Sequence, residues 1–280
     1  MRLLFTTLIL VLIGVPVTTF GQDDIRIGLQ MDNVFFRSGS NMVHAFVYRP
    51  QGKGTFPAII YNQATREPYY TADGLYPFEA IAKWATSRGC VLFIPDRPGH
   101  ELLGKSLGEY ANLLEEKTNI SQTNRIFLEG FDLIGKDILA GTKWLTNQSY
   151  VDAARVGMVG HSTGAMQTLL LATKDSGVRG YVLFSPGAKI WNDNAVISKL
   201  LRKALKKVDK PILLIQAQND FTLGPSQDLG SELKDRPAPN AVRVYPPFGA
   251  NPTQAVMFGV HGSSVWGDDV MKFLEDSWKQ

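Results

Sequence analysis

The hydrophobic pattern of this chain changes period repeatedly along its length. Asn33-Val-Phe-Phe-Arg-Ser38 and Met42-Val-His-Ala-Phe-Val-Tyr48 are short runs rich in β-branched and aromatic residues, separated at Ser38-Gly39-Ser40, and they predict a hairpin. Pro57–Asn62, Cys90–Pro95, Arg155–Gly160, Gly180–Ser185 and Pro211–Gln216 are nearly continuous apolar runs bounded by Gly or Pro, and Ala241–Pro246 adds a further strand. A continuous apolar run means a strand buried on both faces. Between these runs apolar residues recur at helical spacing: Phe78, Ile81, Ala82 and Ala85; Ile134, Ile138 and Leu145; Met166, Leu169 and Leu170; Val270, Phe273 and Leu274. Strands alternating with helices predict an α/β fold, a doubly wound and mostly parallel sheet with helices on both faces, preceded by an N-terminal antiparallel hairpin. No internal repeat, low-complexity tract or linker divides it.

The N-terminus follows a different rule. Arg2 precedes an apolar run from Leu3 to Val17, broken by Gly14 and Pro16, and Thr19-Phe20-Gly21 leads into polar Gln22-Asp23-Asp24. The run falls short of the roughly 20 residues a spanning helix needs, so residues 1–21 read as a signal peptide cleaved after Gly21. The expectation is a single domain over residues 22–280, periplasmic or secreted, with no stable membrane span once the leader is removed. Cys90 is the one cysteine, which rules out an intrachain disulfide and suits a bacterial periplasm. Its place in a strand run marks it as a small apolar filler.

Composition narrows the partners. With 44% hydrophobic and 20% charged residues, the chain is long enough for one large core. The formal net charge is only +3, and lysine and arginine are scattered apart from a cluster at Lys199–Lys210. Nucleic acid is therefore not an expected partner. The clustered lysines lie on a segment with Val196, Ile197, Leu200, Leu201 and Leu205 at helical spacing, which reads as an amphipathic helix packed on the sheet.

One stretch carries chemistry. In Arg155-Val-Gly-Met-Val-Gly-His-Ser-Thr-Gly-Ala-Met166 the strand pattern stops at Ser162, between Gly160 and Gly164, and a helical pattern resumes at once. Ligands of such sheets bind beyond the carboxyl ends of the strands, which is where Ser162 falls. A sharp strand-to-helix turn pushes the serine side chain into the open and crowds the residues two positions away, so those must be small. Serine is also a common helix cap, but the strand before it and the apolar helix after it favour a nucleophile.

A serine hydroxyl needs a base, usually histidine, and a carboxylate to orient that base. Four histidines are available. His44 lies inside a strand, His161 abuts Ser162 and must point elsewhere, and His100 precedes the serine on a strand-end loop. His261, in a glycine-flanked loop before the last helix, is the expected base. Asp220, carried past the strand Pro211–Gln216 by the polar turn Gln216-Ala-Gln-Asn219, is the expected carboxylate, with Asp193 as the alternative.

The order Ser162, Asp220, His261 resembles that of the α/β hydrolases. From about Pro57 onward, the segments Phe56–Gln63, Val91–Ser106, Val151–Met166, Pro211–Asp220 and Val260–Leu274 resemble the dienelactone hydrolase-like branch of that superfamily in order and spacing. The resemblance implies the α/β-hydrolase fold and a serine hydrolase that cleaves carboxylic esters through an acyl-enzyme. It also implies an oxyanion hole built from the backbone N–H of Thr163 and of Gln63 or Ala64. Two departures matter: Asn62-Gln63-Ala64 stands where family members often carry His-Gly, and Ser162 stands where the founding members use cysteine.

Arg66, Tyr69 and Tyr70, in the loop Ala64–Phe78, are candidate contacts to a small-molecule ester, and the long polar connection Glu101–Arg125 is a candidate lid. The chain has no H-E-x-x-H, P-loop or G-x-G-x-x-G, so no metal or other cofactor is required. The same residues would equally serve a serine peptidase of the prolyl-oligopeptidase type or an acyltransferase, and a non-catalytic binding protein on the same fold is the structural alternative.

Overall fold

The apolar runs become strands of one sheet. A computed structural model of the chain describes residues 29–64, 78–96, 120–174 and 176–280. β1 (Gln30–Ser38) and β2 (Asn41–Arg49) pair antiparallel from Gln30 opposite Arg49 to Ser38 opposite Asn41. β3 (Phe56–Asn62), β4 (Val91–Pro95), β5 (Val151–His161), β6 (Gly180–Phe184), β7 (Ile212–Ala217) and β8 (Ala241–Tyr245) complete an eight-stranded sheet of order β1-β2-β4-β3-β5-β6-β7-β8. β2 joins β4 antiparallel, and every pairing from β4 to β8 is parallel. The doubly wound sheet with its leading hairpin is the one the hydrophobic pattern predicts.

Alternate strand residues feed two cores. Ile60, Met158, Leu183 and Leu214 face a layer made by α2 (Ile120–Thr146), α3 (Thr163–Leu171), α4 (Ala195–Leu205) and α5 (Gly224–Lys234). Ile59, Val159, Val182 and Leu213 face α1 (Glu79–Ser87), α6 (Pro252–Val256), α7 (Phe258–His261) and α8 (Ser263–Trp278). Trp266 of α8 is fully buried, with its ring 4.9 Å from Trp84 and 4.8 Å from Phe184, and its indole N–H donates to the Phe258 carbonyl at 2.7 Å. Truncating such a ring costs about 3–5 kcal/mol, so this contact fixes α7 against the sheet.

Three elements differ from the sequence expectation. α2 begins at Ile120, so the last residues of the segment read as a polar connection, Ile120–Arg125, are helical. α5 carries no clear apolar period; it opens on Gly224-Pro225, and proline at the first helical turn loses no hydrogen bond. Gln216 stays in the strand, and Ala217, read as part of the turn, extends β7 by one residue.

The amphipathic helix is α4: Ile197, Leu201 and Leu205 are buried, while Arg202 and Lys206 pair with Asp228 and Glu232 of α5. No helix among the described residues is long and apolar enough to cross a membrane. His44 lies inside β2, the strand the sequence predicts; it is buried, its Nε2 donates to Asn33 Oδ1 at 2.9 Å and its Nδ1 lies 3.4 Å from Asp96. Cys90 is buried under α8, and desolvation pushes its thiol up to about 12.

Candidate active site

The strand order reverses at β3. The chain leaves β3 toward β4 on one side and returns to β5 on the other, which opens a crevice beyond the carboxyl ends of β3 and β5. Asn62-Gln63-Ala64 stands at one of those ends and His161-Ser162-Thr163 at the other.

Ser162 adopts φ 53° and ψ −112°, a conformation that costs a non-glycine residue about 1–3 kcal/mol. Hydrogen bonds on both sides hold it there. Its N–H donates to the Phe184 carbonyl at 2.9 Å, and its carbonyl accepts from the N–H groups of Ala165 and Met166, both at 3.1 Å. The two glycines are sterically required. A Cβ on Gly164 would lie 1.9 Å from the Asn62 carbonyl oxygen, and one on Gly160 would lie 2.3 Å from Thr168 Oγ1 and 2.4 Å from the Gly164 carbonyl oxygen. The start of α3 is therefore pressed against the end of β3. Ser162 remains half-buried while its neighbour His161 is enclosed.

The residues expected to form the oxyanion hole flank this contact. Thr163 is the first residue of α3, where backbone N–H groups and the positive end of the helix dipole lie. Ala64 is half-buried, and Gln63 is fully enclosed with neither its Nε2 nor its Oε1 hydrogen-bonded among the described residues. Asn62, in the place of the family's frequent histidine, instead donates from Nδ2 to Thr168 Oγ1 at 2.8 Å and so ties β3 to α3.

Asp220 follows β7 directly and is buried. Its Oδ2 accepts from Gln216 Nε2 at 2.8 Å and its Oδ1 from the Phe221 N–H at 2.7 Å. Asp193, the alternative, is exposed. His261 does not sit in an open loop; it is the exposed last residue of the short helix α7, with its N–H donating to the Met257 carbonyl at 2.9 Å. No hydrogen bond or ion pair among the described residues joins Ser162, Asp220 and His261 to one another.

Their neighbours do the joining. His161 Nε2 donates to the Val256 carbonyl at 2.7 Å, which fastens the Ser162 turn to the segment leading into α7. Asn219 Nδ2 donates to the carbonyls of Phe248 (3.2 Å) and Gly249 (3.1 Å), and its Oδ1 accepts from the Phe248 N–H at 2.9 Å. That fastens the Asp220 loop to the same segment. The sequence reading passed over Gln216, Asn219 and the bonding of His161. The available signal was a lone polar residue ending the apolar run Ile212-Leu-Leu-Ile-Gln216, since a buried amide demands partners.

Arg66, Tyr69, Tyr70, His100 and the segment 101–119 lie outside the described residues. Among the described residues no group of three or more His, Cys, Asp or Glu could hold a metal ion.

The comparisons with known proteins bear on this geometry. A search of curated proteins finds no match. Among solved structures, a cold-adapted esterase from an Arctic intertidal metagenomic library superposes with a TM-score of 0.62 at 16% identity, covering 91% of this chain and 99% of that one. A dienelactone hydrolase from Anabaena variabilis gives 0.58 at 16%, covering 89% and 98%. An acylaminoacyl peptidase from Pyrococcus horikoshii gives 0.61 at 19%, covering 89% of this chain but 41% of that one. At such identities these likenesses speak for the fold. The model of the dienelactone hydrolase family matches residues 43–251, which include the Ser162 turn and the Asp220 loop. A sheet that reverses at β3, a serine turn seated on two glycines and a family match over most of the chain lead to one conclusion: this chain belongs to the dienelactone hydrolase family, within the α/β hydrolases.

Proposed function

We propose that the chain is a serine hydrolase that cleaves carboxylic esters of small molecules through an acyl-enzyme intermediate. The observation that carries this reading is the Ser162 turn, a positive-φ serine held at the carboxyl end of β5 by a seat that admits no side chain at Gly160 or Gly164. His261 takes the proton of Ser162 as the serine attacks the ester carbonyl, and Asp220 orients the imidazole and stabilises its charged form. The tetrahedral oxyanion is met by the N–H of Thr163 and by one from Gln63 or Ala64. His261 then returns the proton to the leaving alcohol, and water, activated by the same imidazole, releases the acid.

The histidine assignment draws support from the alternatives. The Nε2 atoms of buried His44 and His161 are engaged with Asn33 and Val256, whereas His261 is exposed. Catalytic hydrogen bonds are often open in a ligand-free site and tighten on the substrate, so the unbonded His261 is compatible with this role.

The reading is tested by turnover of short-chain p-nitrophenyl esters against aminoacyl p-nitroanilides. Ester turnover that exceeds amide turnover by orders of magnitude is expected. The reverse preference would make the chain a peptidase, and turnover of neither would leave only the fold. We further propose export to the periplasm or the medium on the strength of the leader, and a mature N-terminus near Gln22 by mass spectrometry is the expected result.

A further inference from the structure

We infer that Gln216 is a positioning residue for the carboxylate of Asp220, an assignment that rests on the proposed Ser162-Asp220-His261 triad. Gln216 is the penultimate residue of β7 and is fully enclosed, yet all of its side-chain hydrogen-bonding capacity is used. Its Nε2 donates to Asp220 Oδ2 at 2.8 Å and to the Thr222 carbonyl at 2.9 Å. Its Oε1 accepts from the Ser226 N–H at 2.9 Å and from Ser226 Oγ at 2.7 Å. A backbone N–H can only donate, so the Ser226 bond fixes which end of the amide is oxygen and turns the nitrogen toward Asp220.

The consequence for Asp220 is geometric. A carboxylate has about four lone-pair sites, and here one oxygen is held by Gln216 and the other by the Phe221 N–H. Two bonds from two directions fix the plane of the group and leave one lone pair on each oxygen for a histidine. The Phe221 N–H comes from the neighbouring residue and moves with the loop. Gln216 belongs to the sheet, and its oxygen is anchored at the first turn of α5, so it is the bond that ties the carboxylate to the rigid frame. A hydrophobic residue here would fill the space equally well and leave the carboxylate held by its own loop alone.

The test compares Gln216→Leu and Gln216→Glu in the full-length enzyme, alone and in an Asp220→Asn background, on the best p-nitrophenyl ester found. Gln216→Leu should lower kcat by about 10–100-fold with KM changed less than about threefold, the signature of a lost transition-state interaction. In the Asp220→Asn background the same change should cost less than about twofold, because the group it positions no longer acts.

Gln216→Glu keeps the shape and adds a titratable group. Its activity should fall as pH rises and the new carboxyl ionises against Asp220, whereas the parent gains activity over the same range as its histidine base deprotonates. Circular dichroism and thermal melting confirm the fold of each variant. If Gln216→Leu is too unstable to assay, the isosteric Glu variant decides through its pH profile, and a profile parallel to the parent's overturns the inference. Equal losses for Gln216→Leu in both backgrounds would mean a structural role only and would overturn it as well. Full activity of Asp220→Asn would remove the triad assignment and this inference together; an inactive Asp220→Asn beside a folded, fully active Gln216→Leu would remove the inference alone.

Discussion

Ser162 and Ser185 make a natural pair. Each ends a parallel strand, each has a positive φ (53° and 50°), and each N–H donates to a carbonyl of the next strand, Phe184 at 2.9 Å for Ser162 and Ile215 at 3.0 Å for Ser185. The backbone device is the same, a kink that turns the chain off the sheet. The segments beyond the kinks differ. Ser162 is half-exposed and opens the nine-residue helix α3, whereas Ser185 is buried, meets Pro186 and Gly187, and leads only into the one-turn 3-10 helix Ala188–Ile190. Strain at a strand end therefore marks where the chain turns; chemistry also needs an accessible side chain and a helix N-terminus beside it.

The widest separation is expected from the serines themselves. Ser162→Ala should abolish labelling by a fluorophosphonate and lower ester turnover by about 10⁶-fold, the scale seen when a nucleophile is removed. Ser185→Ala should label and turn over within about twofold of the parent. Equal labelling of parent and Ser162→Ala would break the comparison at its root.

Next come the carboxylates on the loops after β6 and β7. Asp220→Asn, folded by circular dichroism, is expected to lose about 10⁴-fold in kcat, because the amide leaves the imidazole in the wrong tautomer. Asp193→Asn should be mild. The reverse ranking would move the orienting role to Asp193.

The glycines that seat the two turns should separate by stability. A Cβ at Gly164 meets the Asn62 backbone at 1.9 Å, which cannot swing aside, so Gly164→Ala should cost about 3 kcal/mol and lower Tm by roughly 6–12 °C. A Cβ at Gly187 meets the Met166 sulfur at 2.8 Å, the middle of a flexible side chain, and the substitution there should cost about half as much despite its positive φ. The smallest effect belongs to Ser185→Gly. It relieves the left-handed strain and should change stability by less than about 1 kcal/mol, in the stabilising direction, with activity unchanged. A large loss of activity in that variant would mean that the second turn is part of the site.

The sheet was legible because its central strands are buried on both faces, as the continuous apolar runs Ile212-Leu-Leu-Ile and Val91-Leu-Phe-Ile announce. The Ser162 turn was legible because its steric demand is local: Gly160 and Gly164 lie two residues to either side. What escaped is held by partners remote in sequence. His161 bonds Val256 across 95 residues and Asn219 bonds Phe248 across 29, and nothing in either neighbourhood announces the other. Gln216 was passed over for a related reason. The sequence places it at the end of an apolar strand run but does not show that the four bonds of its amide reach Asp220, Thr222 and Ser226. α5 escaped because its surface is mostly polar and only Leu229 and Leu233 reach the core.

The buried thiol of Cys90 gives the molecule an internal clock. With no other cysteine in the chain and its ionisation pushed up to about 12 by burial, the native thiol keeps its proton at pH values where an unfolded chain, with the ordinary value near 8.5, already forms thiolate. Because the folded thiol keeps its proton longer than the unfolded one, the native state binds more protons in this interval, and stability falls as pH climbs from about 8.5 toward 12. Below that interval the reaction of an alkylating reagent with the wild-type chain reports how often Cys90, beside the start of β4, is uncovered from under α8, so the opening equilibrium of this side of the sheet is readable without any introduced label.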